Sequence, residues 1–238
     1  MYFAIIAAGE GQRLRSEGII LPKPLIRINN IPMLERLFGI INDQQPESIS
    51  IIINEEAKEV YDFISNHYLR DRINLKIKST ESSLHSLYEL KTFLQDKPFC
   101  LFTVDTIFSE FEFKNFINFI NTKKSIDGAL GITEYIDDEK PLYAELNKDN
   151  LITKFDDLKI SRFVTGGIYY FSPQVYKEIE YAVKNNYKRL RNFLKLIIEK
   201  HYLLQGFIFS KIIDVDHIND IKSAQNFLMF EENLIQQR

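Results

Sequence analysis

Three groups of residues in this chain could do chemistry together, although they lie far apart in sequence. The first is the stretch AAGEGQRLRSEGIILPKPL, residues 7–25. Gly9 and Gly11 strip it of side chains, so backbone N–H groups can approach an anion closely. Arg13 offers a planar fork suited to phosphate oxygens. Lys23 stands between Pro22 and Pro24, which restrict where its ammonium can go. The second group is Asp105, closing CLFTVD, and the third is Asp214 with Asp216, closing KIIDVD. Phosphoryl and nucleotidyl transfer need charge neutralised around phosphates. Mg²⁺ serves that need with one or two carboxylates plus phosphate oxygens.

These groups need elements to bring them together. Residues 2–7 (YFAIIA) form a short apolar run that predicts a buried strand. Pro32 opens a helix, followed by a strand over 48–54, a helix over 55–68, a strand over 73–79 and a helix over 83–96. PFCLFTVD (98–105) is a strand ending at Asp105, and 111–121 is a helix. Four strand-then-helix units in succession predict a mostly parallel sheet with helices on both faces. Beyond residue 124 the pattern turns to strands joined by short turns, two helices, a returning strand GFIFSKIIDVD and a closing helix. The expected fold is a Rossmann-like three-layer α/β/α arrangement with a mixed central sheet. It is read as one domain over 1–238, with a nucleotide-binding half to about residue 124 and an acceptor-binding half over 125–238. A loop that directly follows a parallel strand lies at the carboxyl edge of the sheet, where open α/β sheets bind ligands. Asp105 and the Asp214/Asp216 pair should reach the same edge.

Two familiar glycine motifs are absent. No G-x-x-x-x-G-K-[ST] is present, and Leu14 occupies the place of the third glycine in G-x-G-x-x-G. The sequence A-A-G-x-G-x-R-L followed by P-K-P-L instead resembles the signature of nucleotidyltransferases that activate sugar-1-phosphates and similar phosphomonoesters. The resemblance covers most of the chain in order. It implies transfer of an NMP from an NTP to a phosphomonoester, with pyrophosphate released and Mg²⁺ required. It places Ala7, Ala8 and Gly9 against base and ribose, Gly11 and Arg13 at the triphosphate, and Lys23 near the α-phosphate. T-V-D-T makes Asp105 the first metal aspartate. D-V-D-H-I-N-D supplies the second, with Asp216 weighted over Asp214. Asp220 reads as helix surface or a local hydrogen-bonding group, and His217 as a polar helix-start residue.

Other segments fit the resemblance with departures. Ser82 and Ser83 stand where a glycine-containing turn touches the base, and Ser82 can cap the following helix. FVTGGIYYF offers Thr165 and Gly166 to the acceptor. An F-x-E-K segment would place a lysine on the acceptor phosphate; here the chain reads F-D-D-L-K, so Leu158 takes the lysine's place and Lys159 or Lys154 is the substitute. KKS (123–125) and YKRLRN (187–192) read as solvated basic faces. The resemblance implies a sugar-1-phosphate acceptor, with two alternatives left open. One is a cytidylyltransferase acting on a phosphocholine or inositol phosphate, and the other is an inactive regulator that binds nucleotide-sugars.

Bulk composition agrees. The chain has 238 residues and a net charge of -3, which gives no global pull toward nucleic acid. Its single cysteine, Cys100, lies in an apolar run and reads as a buried small side chain. The N-terminus lacks a basic flank and does not read as a signal peptide, and no apolar run nears bilayer length. The expected partners are an NTP and a phosphomonoester, with no nucleic acid or membrane partner, in the cytoplasm.

Overall fold

A computed structural model describes residues 1–123 and 125–236. The expected boundary at Lys124, and with it part of the KKS run, lies outside the described residues. The chain runs β1 (Tyr2–Ala7), α1 (Gln12–Ser16), β2 (Arg27–Ile28), β3 (Ile31–Pro32), α2 (Met33–Asn42), β4 (Ser48–Ile53), α3 (Lys58–Ser65) and β5 (Ile73–Ile77). It continues with α4 (Ser83–Leu94), β6 (Phe99–Thr103), β7 (Thr106–Phe108), α5 (Glu110–Thr122), β8 (Gly128–Thr133), β9 (Tyr143–Leu146), β10 (Ile152–Asp156) and β11 (Phe163–Phe171). The last elements are α6 (Tyr176–Lys184), α7 (Leu190–Glu199), β12 (Leu204–Ile208), β13 (Ile212–Asp214) and α8 (Ile218–Gln236).

A nine-stranded sheet crosses both halves of the chain. β1 lies between β4 and β6, parallel to both, and β4 pairs parallel with β5. β11 inserts antiparallel between β6 and β8, and β12 adds parallel to β8. The sheet is therefore mixed but mostly parallel, as the succession of strand-helix units predicts. Period-two alternation sends β1 side chains to opposite faces. Phe3 and Ile5 pack with Phe38 of α2, Val60 of α3 and Phe113 of α5. Ala4 and Ile6 pack with Leu87 of α4, Ile179 of α6 and Phe193 of α7. Helix α4 shows why its sequence folds so: Leu84, Leu87, Leu90 and Leu94 share one face and are wholly buried.

The chain departs β1 in one direction toward β4 and later returns to its other side with β6. That reversal makes the crevice above β1 and β6 the topological switch point of the sheet. Ile6 pairs with Thr103, and the Val104 N–H donates to the Ile6 carbonyl at 3.1 Å. The glycine loop and Asp105 thus leave the sheet side by side.

GFIFSKIIDVD, expected as one returning strand, is two. β12 stays in the main sheet, whereas β13 leaves it and pairs antiparallel with β7, Asp214 opposite Thr106. A third, smaller core explains the departure. Leu14 of α1, Ile107 of β7, Ile213, Val215 and Phe227 of α8 pack together, buried. Leu14, Ile107, Ile213 and Val215 are each adjacent to, or two removed from, one of the chemistry-bearing side chains. Among the described residues, no helix is long and apolar enough to cross a membrane.

Candidate active site

The loop after β1 is shaped by Gly11. Its φ of 64° lies in the left-handed region that favours glycine, and it caps the start of α1. A Cβ there would also come within 3.0 Å of the Lys23 Cγ. Lys23 opens a short 3-10 turn, Lys23–Leu25, held in place by Pro22 before it and Pro24 within it. The lysine stem therefore lies along the bare glycine and carries its ammonium toward the sheet edge. Ala7 is buried, Ala8 packs against the helices of the α4 side, and Gly9 is exposed with open space above it.

Lys23 Nζ meets Asp105 Oδ2 at 2.8 Å and also Asp216 Oδ1. Arg13 Nη1 takes the other oxygen of Asp216. The Lys23 side chain is 10% exposed. Burial alone would lower its pKa, but Asp105 and Asp216 outweigh burial and hold the ammonium well above its ordinary range. Burial pushes Asp105 up, yet the Lys23 charge and its hydrogen bond prevail, and the carboxyl sits below its usual range. The residues from three distant segments are therefore brought into one charged cluster.

Backbone ties fix that cluster. The Val215 N–H donates to the Asp105 carbonyl at 3.0 Å. Asp220 Oδ2 accepts from the Asp216 and His217 N–H groups at 3.0 and 2.6 Å, so it is a local hydrogen-bonding group that locks the Asp216 turn. His217 does more than begin a helix: its Nδ1 meets Glu17 Oε1, while Glu17 Oε2 accepts from the Ile218 N–H at 2.8 Å. Glu17 follows α1 directly, so it ties the helix of Arg13 to the turn of Asp216. Nothing in the spacing of Glu17 signals this, because the contact spans 200 residues.

Asp214 lies beside this cluster and shares a small cleft with Arg13 and Asp216. It lines a cavity of about 310 Å³ together with Thr103, Thr165, Gly166, Gly167, Asp137, Asp138, Arg189 and Arg191. Its Oδ1 is wholly buried and has no hydrogen-bond partner. Burial, then Asp105 and Asp216, push its carboxyl well above the ordinary range. Gly167, which the sequence reading passed over, decides the shape of this wall. Its φ is +66°, and a Cβ would fall 2.1 Å from Thr106 Oγ1 and 2.3 Å from Thr103 Oγ1. The pairing of β11 with β8 shifts register between Thr165 and Tyr169, which accommodates that glycine.

Two expectations are corrected here, the Ser82 cap and the wholly solvated YKRLRN run. Ser82 sits at the start of α4 but makes no capping bond there. Its hydroxyl accepts from the Arg189 N–H at 3.1 Å, and Ser83 accepts from the Leu190 N–H at 2.9 Å, so the serines anchor the start of α7. Lys154 is exposed and pairs with Asp156 at 2.8 Å, while Lys159 lines an adjoining groove that shares Pro141, Arg189 and Arg191 with the cavity of Thr165 and Gly166. YKRLRN is not a purely solvated face. Arg189 and Arg191 line the cavity, and Arg191 is held by Asp157 at 2.9 Å and the Lys140 carbonyl at 2.8 Å. A basic run before an amphipathic helix gives no hint that two of its arginines border a cavity.

Whether the residues fit a divalent cation can be judged from the cluster itself. Among the described residues, no three His, Cys, Asp or Glu side chains gather closely enough to hold one unaided. Asp105 and Asp216 nonetheless share one cation, the Lys23 ammonium, between them. That is the donor set of a site completed by phosphate oxygens rather than a closed protein cage.

With this geometry in place, comparison with known proteins is decisive. A family model described as nucleotidyl transferase matches residues 3–230. The chain belongs to the nucleotidyl transferase family. It is similar to the bifunctional protein GlmU of Methanococcus vannielii, 25% identical over 234 residues, covering 94% of this chain and 54% of that protein. The chain spans about half the length of the first curated relatives it matches. Its fold is similar to the inositol-1-phosphate CTP transferase from T. maritima, with a TM-score of 0.78, 16% identity and 94% of each chain covered. It is also similar to a UDP-glucose pyrophosphorylase complexed with UDP-glucose, with a TM-score of 0.80 and 15% identity, covering 97% of this chain and 98% of that one. At these identities the structural likenesses speak for the fold alone.

Proposed function

We propose that the protein transfers an NMP from an NTP to a sugar-1-phosphate or related phosphomonoester and releases pyrophosphate. The observation that carries this reading is the Lys23 ammonium held between Asp105 and Asp216, beside the glycine loop, at the switch point of the sheet. Family membership supports the reaction class.

An oxygen of the acceptor phosphate attacks the α-phosphorus in line. The new P–O bond forms as the bond to the β-phosphate bridging oxygen breaks, and pyrophosphate leaves with that electron pair. The acceptor phosphate is already anionic, so the step needs no proton abstraction and no covalent enzyme intermediate. Backbone groups around Gly9 and Gly11 receive the triphosphate, with Arg13 gripping its oxygens. Lys23 swings from the carboxylates to the α-phosphate and neutralises the charge that grows there. Asp105 and Asp216 would hold Mg²⁺, which supplies charge neutralisation on the phosphates when bound. Thr165 and Gly166 form the acceptor wall, and the protein acts without a nucleic-acid or membrane partner. Pyrophosphate release measured with four NTPs against a panel of phosphomonoesters, with and without Mg²⁺, tests the reading. Release that needs one NTP, one acceptor class and the cation supports it; nucleotide binding with no release across the panel refutes it.

A further inference from the structure

We infer that a groove beside the cavity of Thr165 and Gly166 binds a second anionic group of the acceptor, remote from the phosphate that reacts. Lys140, Lys159 and Arg189 supply the positive charge that recognises it. The inference rests on the nucleotidyltransferase reading and adds a subsite outside that cavity.

The groove has a volume of about 570 Å³ and is built from three separate segments. The segment between β8 and β9 brings Lys140, the segment between β10 and β11 brings Leu158 and Lys159, and the start of α7 brings Lys188 and Arg189. Leu158 stands where the resemblance expects a lysine on the acceptor phosphate. Its N–H donates to Asp156 Oδ1 at 3.1 Å, and that turn leaves Leu158 and Lys159 lining the groove and not the cavity. Arg189 and Pro141 line both spaces, so the groove continues the cavity outward.

The charges in the groove do not cancel. Its two carboxylates are already engaged. Asp157 holds Arg191 at 2.9 Å and also pairs with Lys195, so this couple adds no free charge of either sign. Glu139 Oε1 lies 3.8 Å from His217 Nε2, toward the turn of Asp216. Lys188 pairs with Glu81 at 3.4 Å. The side chains of Lys140, Lys159 and Arg189 have no ion pair or hydrogen bond among the described residues. A concave surface lined by one sign of free charge concentrates the opposite charge.

Arg189 is also held at a backbone cost. Its φ is 54° with ψ 139°, in the left-handed half of the map that an L residue rarely adopts. The Ser82 hydroxyl accepts its N–H, and the Ser83 hydroxyl accepts that of Leu190. These bonds fix the unpaired guanidinium at the junction of cavity and groove. A carboxylate or a second phosphate on the acceptor would meet it there, and both share the chemistry of an anion that only accepts hydrogen bonds.

The experiment compares acceptors with and without the second anion. Glucuronic acid 1-phosphate and glucose 1,6-bisphosphate are each set against glucose 1-phosphate, and 3-phosphoglycerate against glycerol 3-phosphate. Pyrophosphate release is measured with the preferred NTP at constant free Mg²⁺. The doubly anionic member should show kcat/KM about tenfold higher, the combined worth of two or three exposed ion pairs. The preference should shrink as salt rises from 0.05 to about 0.5 M. Which arm shows it distinguishes carboxylate from phosphate. Lys159→Glu and Lys140→Glu, both surface changes, should each bring the ratio to 1 or below. Equal or poorer use of the doubly anionic members overturns the inference, as does a preference that both variants leave unchanged; either result leaves nucleotidyl transfer standing. If none of these compounds yields pyrophosphate, calorimetry decides: tighter binding of a doubly anionic member that Lys159→Glu abolishes supports the subsite, and equal or absent binding overturns it. The nucleotidyltransferase reading is then judged separately on the wider acceptor panel.

Discussion

Lys23 and Asp105 meet at 2.8 Å, Nζ to Oδ2, across 82 residues of sequence. The contact joins the glycine-loop segment to the end of β6, and Asp216 closes it from the third segment. Under the proposed function, Lys23 exchanges these carboxylates for the α-phosphate when substrate binds. Its raised pKa keeps it charged throughout neutral pH.

Replacing that charge tests its role. Lys23→Met should lower kcat by about 10²- to 10³-fold, the usual cost of removing one preorganised charge-stabilising donor. KM for the NTP should rise less. Steady-state kinetics over a range of NTP concentrations measures both.

Gly167→Ala should be costly for packing rather than chemistry. The new methyl group meets Thr106 Oγ1 at 2.1 Å and the backbone is in the left-handed region. Strain and overpacking together predict a loss of about 2–4 kcal/mol. Urea unfolding monitored by far-UV circular dichroism reads this as a lower midpoint with an unchanged slope.

Glu17→Ala removes both bonds that tie α1 to the Asp216 turn. The fold should survive, because the third core packs independently of Glu17. The Mg²⁺ concentration for half-maximal rate should rise by roughly tenfold, as for other residues that orient a ligand from behind. A Mg²⁺ titration of initial rates reads the change, and an unchanged midpoint would leave Glu17 a surface residue.

The Glu178 carboxyl gives a pH prediction away from the site. Burial raises its pKa, but hydrogen bonds from Lys200 and from Tyr202, the latter at 3.0 Å, outweigh burial and set it below the ordinary value. A lowered folded pKa contributes stability above the unfolded value of about 4.3. That contribution is lost as pH falls through the lower, folded value. The difference in urea midpoint between the wild type and Glu178→Gln should be largest near pH 6 and shrink toward pH 3.

Much of this was legible in the sequence because it is written locally. β1 is a continuous apolar run, and α4 repeats leucine at helical spacing, so both elements follow from periodicity. The signature around Gly11, Arg13 and Lys23 is likewise contiguous. What escaped depends on packing between distant segments. KIIDVD reads as the continuation of a sheet strand until Ile213 and Val215 find Leu14 and Ile107 in the third core. Arg189 and Arg191 look solvated until Ser82 and Ser83 draw the start of α7 over the cavity. Gly166 and Gly167 look equivalent in sequence, and only the structure shows that Gly167 alone of the two needs a positive φ, while a Cβ on either would clash.

The central claim is nucleotidyl transfer at the Lys23–Asp105–Asp216 cluster. Asp105→Asn tests it most directly, with Mg²⁺-dependent pyrophosphate release as the readout and circular dichroism to confirm the fold. The account predicts a loss of at least about 10³-fold in kcat in a folded protein. Pyrophosphate release by folded Asp105→Asn within about tenfold of the wild type would contradict it.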